Sequence, residues 1–195
     1  MPAQSYKLNE IFYSIQGEGA HTGAPAVFVR LSGCSMGCDF CDTDFSHKLT
    51  MTAPEVLHEA AKYPVKRVIF TGGEPGEQNI AALAKFFKEQ GYETHIETNG
   101  SVYFDTSSLD HVTLSPKAAI DERMLNAAHV IKIVVGAGTK IKDLEKYFKY
   151  QSAGRQIYLQ PESNKQENID LCVKIIKANP FLRLSLQTHK FANLQ

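Results

Sequence analysis

The feature that most constrains the fold is an alternation of short β-branched runs with amphipathic segments along most of the chain. The runs predict strands, and the segments between them predict helices. Strands are predicted at residues 27–31, 66–70, 92–97, 112–114, 130–135, 156–160 and 182–187. Helices are predicted at residues 54–62, 78–90, 121–128, 140–150 and 166–178. Such alternation is typical of a parallel sheet with right-handed crossovers, so the predicted class is α/β.

The length of the chain favours an open form of such a sheet over a closed one. A complete eight-unit barrel needs roughly 200 to 250 residues or more, and this chain has 195. The links between residues 97 and 112 and between 114 and 130 are also short for a full crossover helix. We therefore expect a partial, open β/α barrel of six to seven mostly parallel strands. We also expect a single domain over residues 1–195, with the less regular residues 1–24 as an extension at its front edge.

The charge and hydropathy of the chain exclude several kinds of partner. With 21 basic and 21 acidic residues, the sequence has no electrostatic footprint for nucleic acid or an anionic membrane surface. The longest apolar stretches have the length of strands, which is too short for a membrane span. The N-terminus lacks the apolar core of a signal peptide, so we expect a cytoplasmic protein whose thiols stay reduced.

Three of the four cysteines lie in one loop after the first predicted strand, Cys34-Ser-Met-Gly-Cys38-Asp-Phe-Cys41. In a reducing compartment, clustered cysteines predict metal ligands rather than disulfides. Structural iron–sulfur clusters usually take four cysteines, so three thiolates predict a cluster with one iron open to a small molecule. The alternative is a zinc site of three cysteines with His47 as the fourth ligand. Cys172 lies among apolar residues of a helical pattern and is predicted to belong to the core.

Polar or glycine-rich turns follow four of the predicted strands. They are Thr71-Gly72-Gly73-Glu74-Pro75, Glu97-Thr98-Asn99-Gly100, Ser115-Pro116-Lys117 and Gln160-Pro161-Glu162-Ser163. Because ligands bind at the carboxyl ends of the strands in parallel α/β folds, these turns predict a binding rim. Lys132 shares a strand face with Val130 and Val134 and points either into the barrel towards an anion or outward to solvent.

The cysteine loop, the aromatic residue before its last cysteine, the Gly-Gly-Glu-Pro turn and the partial barrel together resemble the radical S-adenosylmethionine (SAM) enzymes. The resemblance implies that Cys34, Cys38 and Cys41 hold a [4Fe–4S] cluster and that SAM binds its open iron. The SAM-binding residues implied by the resemblance are Phe40, Gly72, Gly73, Glu74, Ser115, Pro116, Lys117, Gln160, Pro161, Glu162 and Ser163. In such enzymes the cluster reduces SAM to a 5′-deoxyadenosyl radical, so the barrel interior has to exclude competing substrates.

Flanking residues narrow the resemblance to the 7-carboxy-7-deazaguanine synthases. These are the segment Phe12-Tyr13-Ser14-Ile15-Gln16-Gly17-Glu18-Gly19, Arg30, the triplet Asp42-Thr43-Asp44 and the segment Ser185-Leu186-Gln187-Thr188-His189-Lys190-Phe191. That family converts 6-carboxy-5,6,7,8-tetrahydropterin to 7-carboxy-7-deazaguanine by radical ring contraction with loss of ammonia, a lyase reaction of queuosine and other deazapurine pathways. The resemblance implies Mg²⁺ at Thr43. It also implies substrate binding, on the side of residues 1–24, by Ile15, Gln16, Gly17, Glu18, Arg30, Thr71, His189 and Gln195.

The chemistry of these residues suits a carboxylated pterin. Gln16 and Glu18 offer the donors and acceptors that the edge of a pterin pairs with. Arg30 offers a planar fork for a carboxylate, and the hydroxyl of Thr43 is an oxygen donor of the kind that Mg²⁺ prefers. No residue of the motif set is assigned as a general acid or base.

Two other functions remain open at the level of sequence. A glycyl-radical enzyme activase would share the cluster and the SAM turns, but its substrate is a protein, and it is not expected to carry the set Gln16, Glu18 and Arg30. A zinc-binding interaction module would use the cysteines alone. The favoured resemblance further implies a flavodoxin- or ferredoxin-type electron donor and a homodimer.

Overall fold

The computed structural model describes residues 4–38, 41 and 43–195. The predicted role of Phe40 therefore lies outside the described residues. The strands are β1 (Ser5–Ile15), β2 (Pro25–Leu31), β3 (Leu49–Thr52), β4 (Arg67–Gly72), β5 (Glu93–Thr98), β6 (His111–Leu114), β7 (Val130–Val135), β8 (Gln156–Pro161) and β9 (Leu182–Leu184). The α-helices are α1 (Ala53–Ala60), α2 (Ile80–Glu89), α3 (Glu122–Ala127), α4 (Ile141–Phe148), α5 (Gln166–Ala178) and α6 (Thr188–Phe191). Short 3₁₀ turns lie at Gly19–His21, Pro75–Glu77, Gln151–Ala153 and Glu162–Asn164.

The strands form one nine-stranded sheet in the order β3-β1-β2-β4-β5-β6-β7-β8-β9. Every neighbouring pair from β2 to β9 is parallel, whereas β1 pairs antiparallel with both β2 and β3. The order begins at β3 and ends at β9, so the sheet does not close on itself. This arrangement confirms the α/β class and the partial, open barrel.

Two strands of the sheet were not predicted from the sequence. Strand β1 lies in residues 1–24, for which the sequence indicated no regular structure. A shift of register between Leu8 and Glu10 interrupts its two-residue period, which is the signal that a strand prediction needs. Strand β3 is only four residues long. The predicted strand 182–187 ends earlier, at Leu184.

All five predicted helices are present, with ends that differ by at most two residues from those predicted. At the start of α1, the Glu55 carboxylate accepts a hydrogen bond of 2.7 Å from the backbone N–H of Thr52. In α5, Cys172 is fully buried, which confirms its assignment to the core. None of the helices in the described residues combines the length and the apolar character that crossing a bilayer requires.

The core lies between the sheet and the helices that cover its outer face. Strand β4 contributes Val68, Ile69 and Phe70, all at most 1% exposed, as expected for a parallel strand covered on both faces. The ring of Phe70 meets that of Phe87 in α2 edge-on, with 5.5 Å between centroids. This packing places the carboxyl ends of the parallel strands on one rim, and that rim carries the site.

Candidate active site

A cavity of about 620 Å³ opens at the carboxyl ends of the parallel strands. Its volume lies within the range of small-molecule and cofactor sites, roughly 300 to 1,000 Å³. The predicted residues that line it are Cys34, Cys38, Cys41, Thr43, Gly72, Gly73, Ser115, Lys117, Gln160, Pro161, Glu162, Ser163, Ile15, Gln16, Gly17, Glu18, Arg30, Thr71, His189 and Gln195. Glu74 and Pro116, both buried, are not part of this lining. The structure thus brings most of the predicted cluster, cofactor and substrate residues to one place.

The three cysteines of the loop are free and lie along one wall of this cavity. Burial raises the pKa of the Cys34 thiol, so metal binding there has to supply the free energy of deprotonation. The amide nitrogen of Asn99 lies 4.0 Å from Cys34 Sγ. Among the residues that the structure describes, no three His, Cys, Asp or Glu side chains converge on a point that would hold a metal ion.

The Gly-Gly turn after β4 packs directly on the start of the cysteine loop. The N–H of Gly73 donates to the carbonyl of Leu31 at 3.1 Å, and the N–H of Glu74 donates to that of Gly33 at 2.9 Å. A Cβ at position 73 would lie 1.8 Å from the Gly33 carbonyl oxygen and 2.9 Å from Cys34 Cβ. Only glycine allows this approach. Three thiols beside a backbone edge of this kind fit the ligand set that an open iron–sulfur cluster and an amino-acid cofactor require.

The side chain of Glu74 is buried, although its position in the Gly-Gly-Glu-Pro turn suggests that it faces the cavity. Its carboxylate is fully buried and accepts hydrogen bonds from the N–H of Gly76 at 2.8 Å, the hydroxyl of Thr98 at 2.6 Å and the N–H of Asn99 at 2.7 Å. Burial raises the pKa of this carboxyl, although the three donors act in the opposite direction. The side chain holds the turn after β5 instead of facing the cavity, so the geometry gives no support for an ammonium contact, and binding by Glu74 stays a prediction.

The remaining predicted SAM-binding residues come from the turn after β6 and from the end of β8 and the turn that follows it. Lys117 Nζ donates to the Ser115 hydroxyl at 2.9 Å, and burial lowers the pKa of Lys117. Ser163 and Asn164 have positive φ angles of 54° and 51°, a backbone conformation that is unusual for residues other than glycine. The side chain of Asn164 fixes this turn because its amide donates to the Gln187 carbonyl at 3.1 Å and accepts from the Gln187 N–H at 3.2 Å.

On the other side of the cavity, the structure shows a buried network of charged and amide side chains. The Lys132 ammonium contacts the carboxylate of Glu18 and lies 2.9 Å from Glu97 Oε2. The amide of Gln16 donates to Glu97 Oε1 at 3.1 Å, and that of Gln187 donates to Glu18 Oε1 at 2.9 Å. Lys132 therefore points into the barrel, which decides between the two orientations that the sequence allowed.

The charge states in this network follow from burial and from the ion pairs. Burial favours the neutral form of Glu18, but the Lys132 ammonium and the hydrogen bonds to Glu18 outweigh it, so its pKa is lowered. Burial dominates for Glu97 and raises its pKa, in spite of the same ammonium. Burial also disfavours the charge on Lys132, but the two carboxylates raise its pKa. The network thus consists of a permanent cation, an ionised Glu18 and a second carboxyl with a raised proton affinity.

Arg30 is held at the edge of the cavity by β1. Its Nε donates to Glu10 Oε1 at 2.8 Å, and its guanidinium lies 5.5 Å from the centroid of the Phe12 ring. The side-chain amide of Gln195 also donates to Glu10, and the Ser14 hydroxyl donates to the Gln195 carbonyl at 3.0 Å. The C-terminal residue is therefore anchored beside Arg30, where the sequence placed the substrate carboxylate.

The segment 15–18 and the start of α6 form one wall of the cavity. The Gly17 carbonyl accepts from the N–H of Thr188 at 2.9 Å and from its hydroxyl at 3.0 Å. A Cβ at position 17 would lie 2.1 Å from His189 Nδ1, so glycine is required for the ring to pack here. His47, the zinc alternative, is exposed and lies outside the cavity lining, with its Nε2 2.9 Å from the Thr50 hydroxyl.

Several lining residues were not assigned an individual binding role from the sequence. They include Glu10, Glu97, Asn99, Lys132 and Gln187. Glu97 lies near the end of β5 and Asn99 directly after it, in one of the four polar turns that predicted the binding rim. No local pattern identifies Gln187, because the atoms that it binds belong to residues 18 and 164.

A second polar cluster, outside the cavity lining, consists of four histidines to which the sequence assigned no role. The ring of His21 lies 4.4 Å from those of both His95 and His111, and His111 lies 5.3 Å from His129. Burial, followed by the charges of its three neighbours, lowers the pKa of His111 to about 3. Its buried Nε2 has no hydrogen-bond partner among the described residues. His111 is therefore neutral at pH 7, and burial also lowers the pKa of His21 and of His95.

Comparison with known proteins decides the family. Residues 28–144 match the Radical SAM superfamily. The chain is 41% identical to a 7-carboxy-7-deazaguanine synthase of Bacteroides thetaiotaomicron, over 97% of this chain and 98% of the relative. The chain belongs to this family of radical SAM enzymes. A synthase of the same name from Escherichia coli strain K12 is 32% identical over 97% of this chain. The crystal structure of QueE from Escherichia coli matches with a TM-score of 0.82 and 30% identity over 95% of both chains.

Membership confirms the predictions of family, fold and cofactors. The chain is a radical SAM lyase that uses a [4Fe–4S] cluster, SAM and Mg²⁺. It acts on a small molecule and needs an external reductant. The activase and zinc-module alternatives are thereby set aside. The roles of individual residues are taken up below as proposals.

Proposed function

We propose that this chain converts 6-carboxy-5,6,7,8-tetrahydropterin to 7-carboxy-7-deazaguanine by ring contraction with loss of ammonia, as a step of queuosine or another deazapurine pathway. One observation carries this proposal. A single cavity is lined both by the thiol loop and the glycine turn and by Arg30, Gln16 and Glu18. The first set, the cofactor wall, suits a radical-generating cofactor pair. The second set, the substrate wall, suits a polar, carboxylated heterocycle.

The cofactor wall is proposed to hold the cluster on Cys34, Cys38 and Cys41, with SAM beside it. When bound, these groups supply hydrogen-atom abstraction at the substrate. The edge of the Gly72–Gly73 backbone, the Ser115–Lys117 pair and the turn at residues 160–163 would hold the polar parts of SAM. Phe40, Glu74 and Pro116 belong to this set by resemblance to the family.

The residues of the substrate wall are proposed to bind the pterin at its carboxylate and at its amino and ring nitrogens. Arg30 would receive the carboxylate, because its guanidinium is already oriented by Glu10 and Phe12. At the other end, Gln16 and Glu18 would pair with the amino and ring nitrogens, with the backbone of Ile15 and Gly17 beside them. Thr71 is paired with Arg30 in the register of β2 and β4 and would contact the substrate from the cofactor side.

Magnesium is proposed to bind at Thr43, which lines the cavity two residues after Cys41. A hydroxyl oxygen together with waters and a substrate carboxylate is a ligand set that suits this hard cation. His189 and Gln195 would close the cavity over the substrate. Such closure excludes water and competing C–H bonds from the site.

We further propose that the chain works as one domain over residues 1–195, with residues 1–24 on the substrate side. Support comes from β1, which adds Ser5–Ile15 to the same sheet. A homodimer, a flavodoxin- or ferredoxin-type donor and a cytoplasmic location are proposed from the family resemblance. The free thiols are consistent with a reducing compartment.

The experiment is anaerobic incubation of the reconstituted protein with SAM, a reductant, Mg²⁺ and 6-carboxy-5,6,7,8-tetrahydropterin. We expect 7-carboxy-7-deazaguanine as the product. Formation of 5′-deoxyadenosine without this product would overturn the substrate. Cys38→Ala should lose iron and activity. The matched change at the buried core cysteine, Cys172→Ala, should retain the iron.

A further inference from the structure

We propose that Lys132 is a positioning residue that holds the carboxylates of Glu18 and Glu97 as paired acceptors for the amino and ring N–H groups of the pterin. This inference rests on the proposed function and adds to it the means by which the polar end of the substrate is recognised. Lys132 acts through the two carboxylates and is assigned no contact with the reacting atoms.

The geometry places one cation between two carboxylates from different parts of the fold. Lys132 comes from β7, Glu97 from β5 and Glu18 from the connection between β1 and β2. The ammonium contacts Glu18 and lies 2.9 Å from Glu97 Oε2. The side chain of Lys132 is only 5% exposed. It therefore joins the segment 16–24 to the barrel at the inner end of the cavity.

Each carboxylate is fixed at both of its oxygens. Oε2 of Glu18 accepts a hydrogen bond from the Lys132 ammonium. Oε1 of Glu18 accepts one of 2.9 Å from the Gln187 side-chain amide. Oε2 of Glu97 accepts a hydrogen bond from the Lys132 ammonium. Oε1 of Glu97 accepts one of 3.1 Å from the Gln16 side-chain amide. Neither group can rotate without breaking a bond, yet an ionised carboxylate offers about four lone-pair sites. Acceptor capacity therefore remains, in a set orientation, for donors of a ligand.

The charge balance explains why a ligand with donors is favoured. The Lys132 ammonium neutralises one carboxylate charge, and the raised pKa of Glu97 reflects the cost of a second, uncompensated buried charge. Among the described residues, further charges that act on this network include that of Lys117, which repels Lys132, and that of His189, which favours the ionised form of Glu18. A pterin edge would add N–H donors without adding another charge.

The test compares Lys132→Met with Lys132→Arg and with the control Lys62→Met, which removes an exposed ion pair with Glu59 at the C-terminal end of α1. The reconstituted holoenzyme is dialysed to equilibrium against 6-carboxypterin, whose fluorescence reports the free concentration. We expect K132M to weaken binding at least tenfold, K132R to restore most of it and K62M to leave it unchanged. In turnover with the carboxylated tetrahydropterin, K132M should raise KM by a larger factor than it lowers kcat.

The pH dependence separates positioning from simple structural support. Without the ammonium, Glu18 and Glu97 take up protons at higher pH, so the pH below which 6-carboxypterin binding is lost should move upward in K132M. A K132M protein with a lower melting temperature but with wild-type binding and an unshifted pH profile would overturn the inference. If K132M does not fold, the double variant K132M/E97Q is compared with E97Q, and equal binding by the two would likewise overturn it.

Failure of the inference and failure of the proposed function give different results. A wild-type protein that forms the deazaguanine while K132M behaves identically would overturn the role of Lys132 alone. A wild-type protein that neither binds 6-carboxypterin nor forms the product would overturn both.

Discussion

The two sides of the cavity are built by different physical means. On the proposed cofactor side, residues 31–34 and 72–74 approach so closely that glycine is required, and the buried carboxylate of Glu74, outside the cavity lining, is satisfied by two backbone N–H groups and a hydroxyl. On the substrate side, side chains up to 169 positions apart in sequence meet as ions and amides around Lys132. The first side depends on steric fit and backbone geometry. The second depends on charge.

This difference implies that the two sides fail in different ways. A change of volume should break the cofactor side at any pH. A change of charge or of pH should affect the substrate side while the cofactor side stays intact.

The largest effect is expected for Gly73→Ala. The added Cβ would lie 1.8 Å from the Gly33 carbonyl oxygen, which is backbone and has little freedom to move. We expect a loss of about 3 kcal/mol in the free energy of unfolding and little iron after reconstitution, measured by urea denaturation and iron analysis. Gly138→Ala is the control, because a Cβ there meets no atom within 4 Å. A G73A protein with full iron content and wild-type stability would show that the tight approach is not required.

A smaller effect is expected for Glu74→Gln. The amide replaces one acceptor oxygen by a donor, so a buried N–H or hydroxyl near Glu74 loses its partner, at a cost of about 2 kcal/mol. Glu77→Gln is the matched control, since Glu77 also accepts from a backbone N–H, that of Ser35 at 2.7 Å, but is exposed. Equal losses of stability in the two variants would contradict the importance of burial.

The difference in unfolding free energy between the wild type and E74Q should also depend on pH. Burial raises the pKa of Glu74 in the folded protein above its value in the unfolded chain. The stability that the Glu74 carboxyl contributes is therefore complete below the unfolded-state pKa, and it declines as the pH rises through the folded-state pKa. The difference in unfolding free energy between wild type and E74Q should therefore narrow from pH 4 towards pH 7. A difference that widens over this range would contradict the raised pKa.

The smallest effect is expected at the histidine cluster, with His111→Phe. The folded-state pKa of His111 is about 3, below the ordinary value of 6.5, so the wild type loses stability as the pH falls below about 6.5. Allowing for partial exposure, this loss should reach about 1 kcal/mol at pH 5, and H111F should remove it. Denaturation curves at pH 5 and 7 measure the change, with exposed His58→Phe as the control. An unchanged slope of stability against pH in H111F would contradict a neutral, buried His111.

The cysteine loop and the glycine turn could be recognised from the sequence, whereas the buried charge network around Lys132 could not, for a physical reason. The cysteine loop and the Gly-Gly turn are short-range patterns whose spacing alone carries their chemistry. Lys132 was recognised as lying on an apolar strand face, but the two-residue period of a strand does not tell which face is inside. Its partners Glu18 and Glu97 lie 114 and 35 positions away, beyond the reach of any local pattern.

The strands likewise differ in how far the sequence predicted them. Strands β2 and β4 to β8 were predicted because parallel strands buried on both faces are continuous β-branched runs. Strand β1 was missed because its register shift breaks the pattern, and yet β1 carries Glu10 and Phe12, which orient Arg30. What escaped prediction is thus mostly on the substrate side.

The most direct test of the two-sided account is to titrate SAM and 6-carboxypterin separately into the reconstituted wild type, Arg30→Met and Ser115→Ala. The account predicts that R30M weakens 6-carboxypterin binding about tenfold or more, the loss of one charge-assisted pair, and leaves the Kd for SAM within about twofold, a difference of under 0.5 kcal/mol. It predicts the reverse pattern, with a smaller factor, for S115A. A parallel loss of both affinities in either variant would contradict the separation of the cavity into a cofactor side and a substrate side.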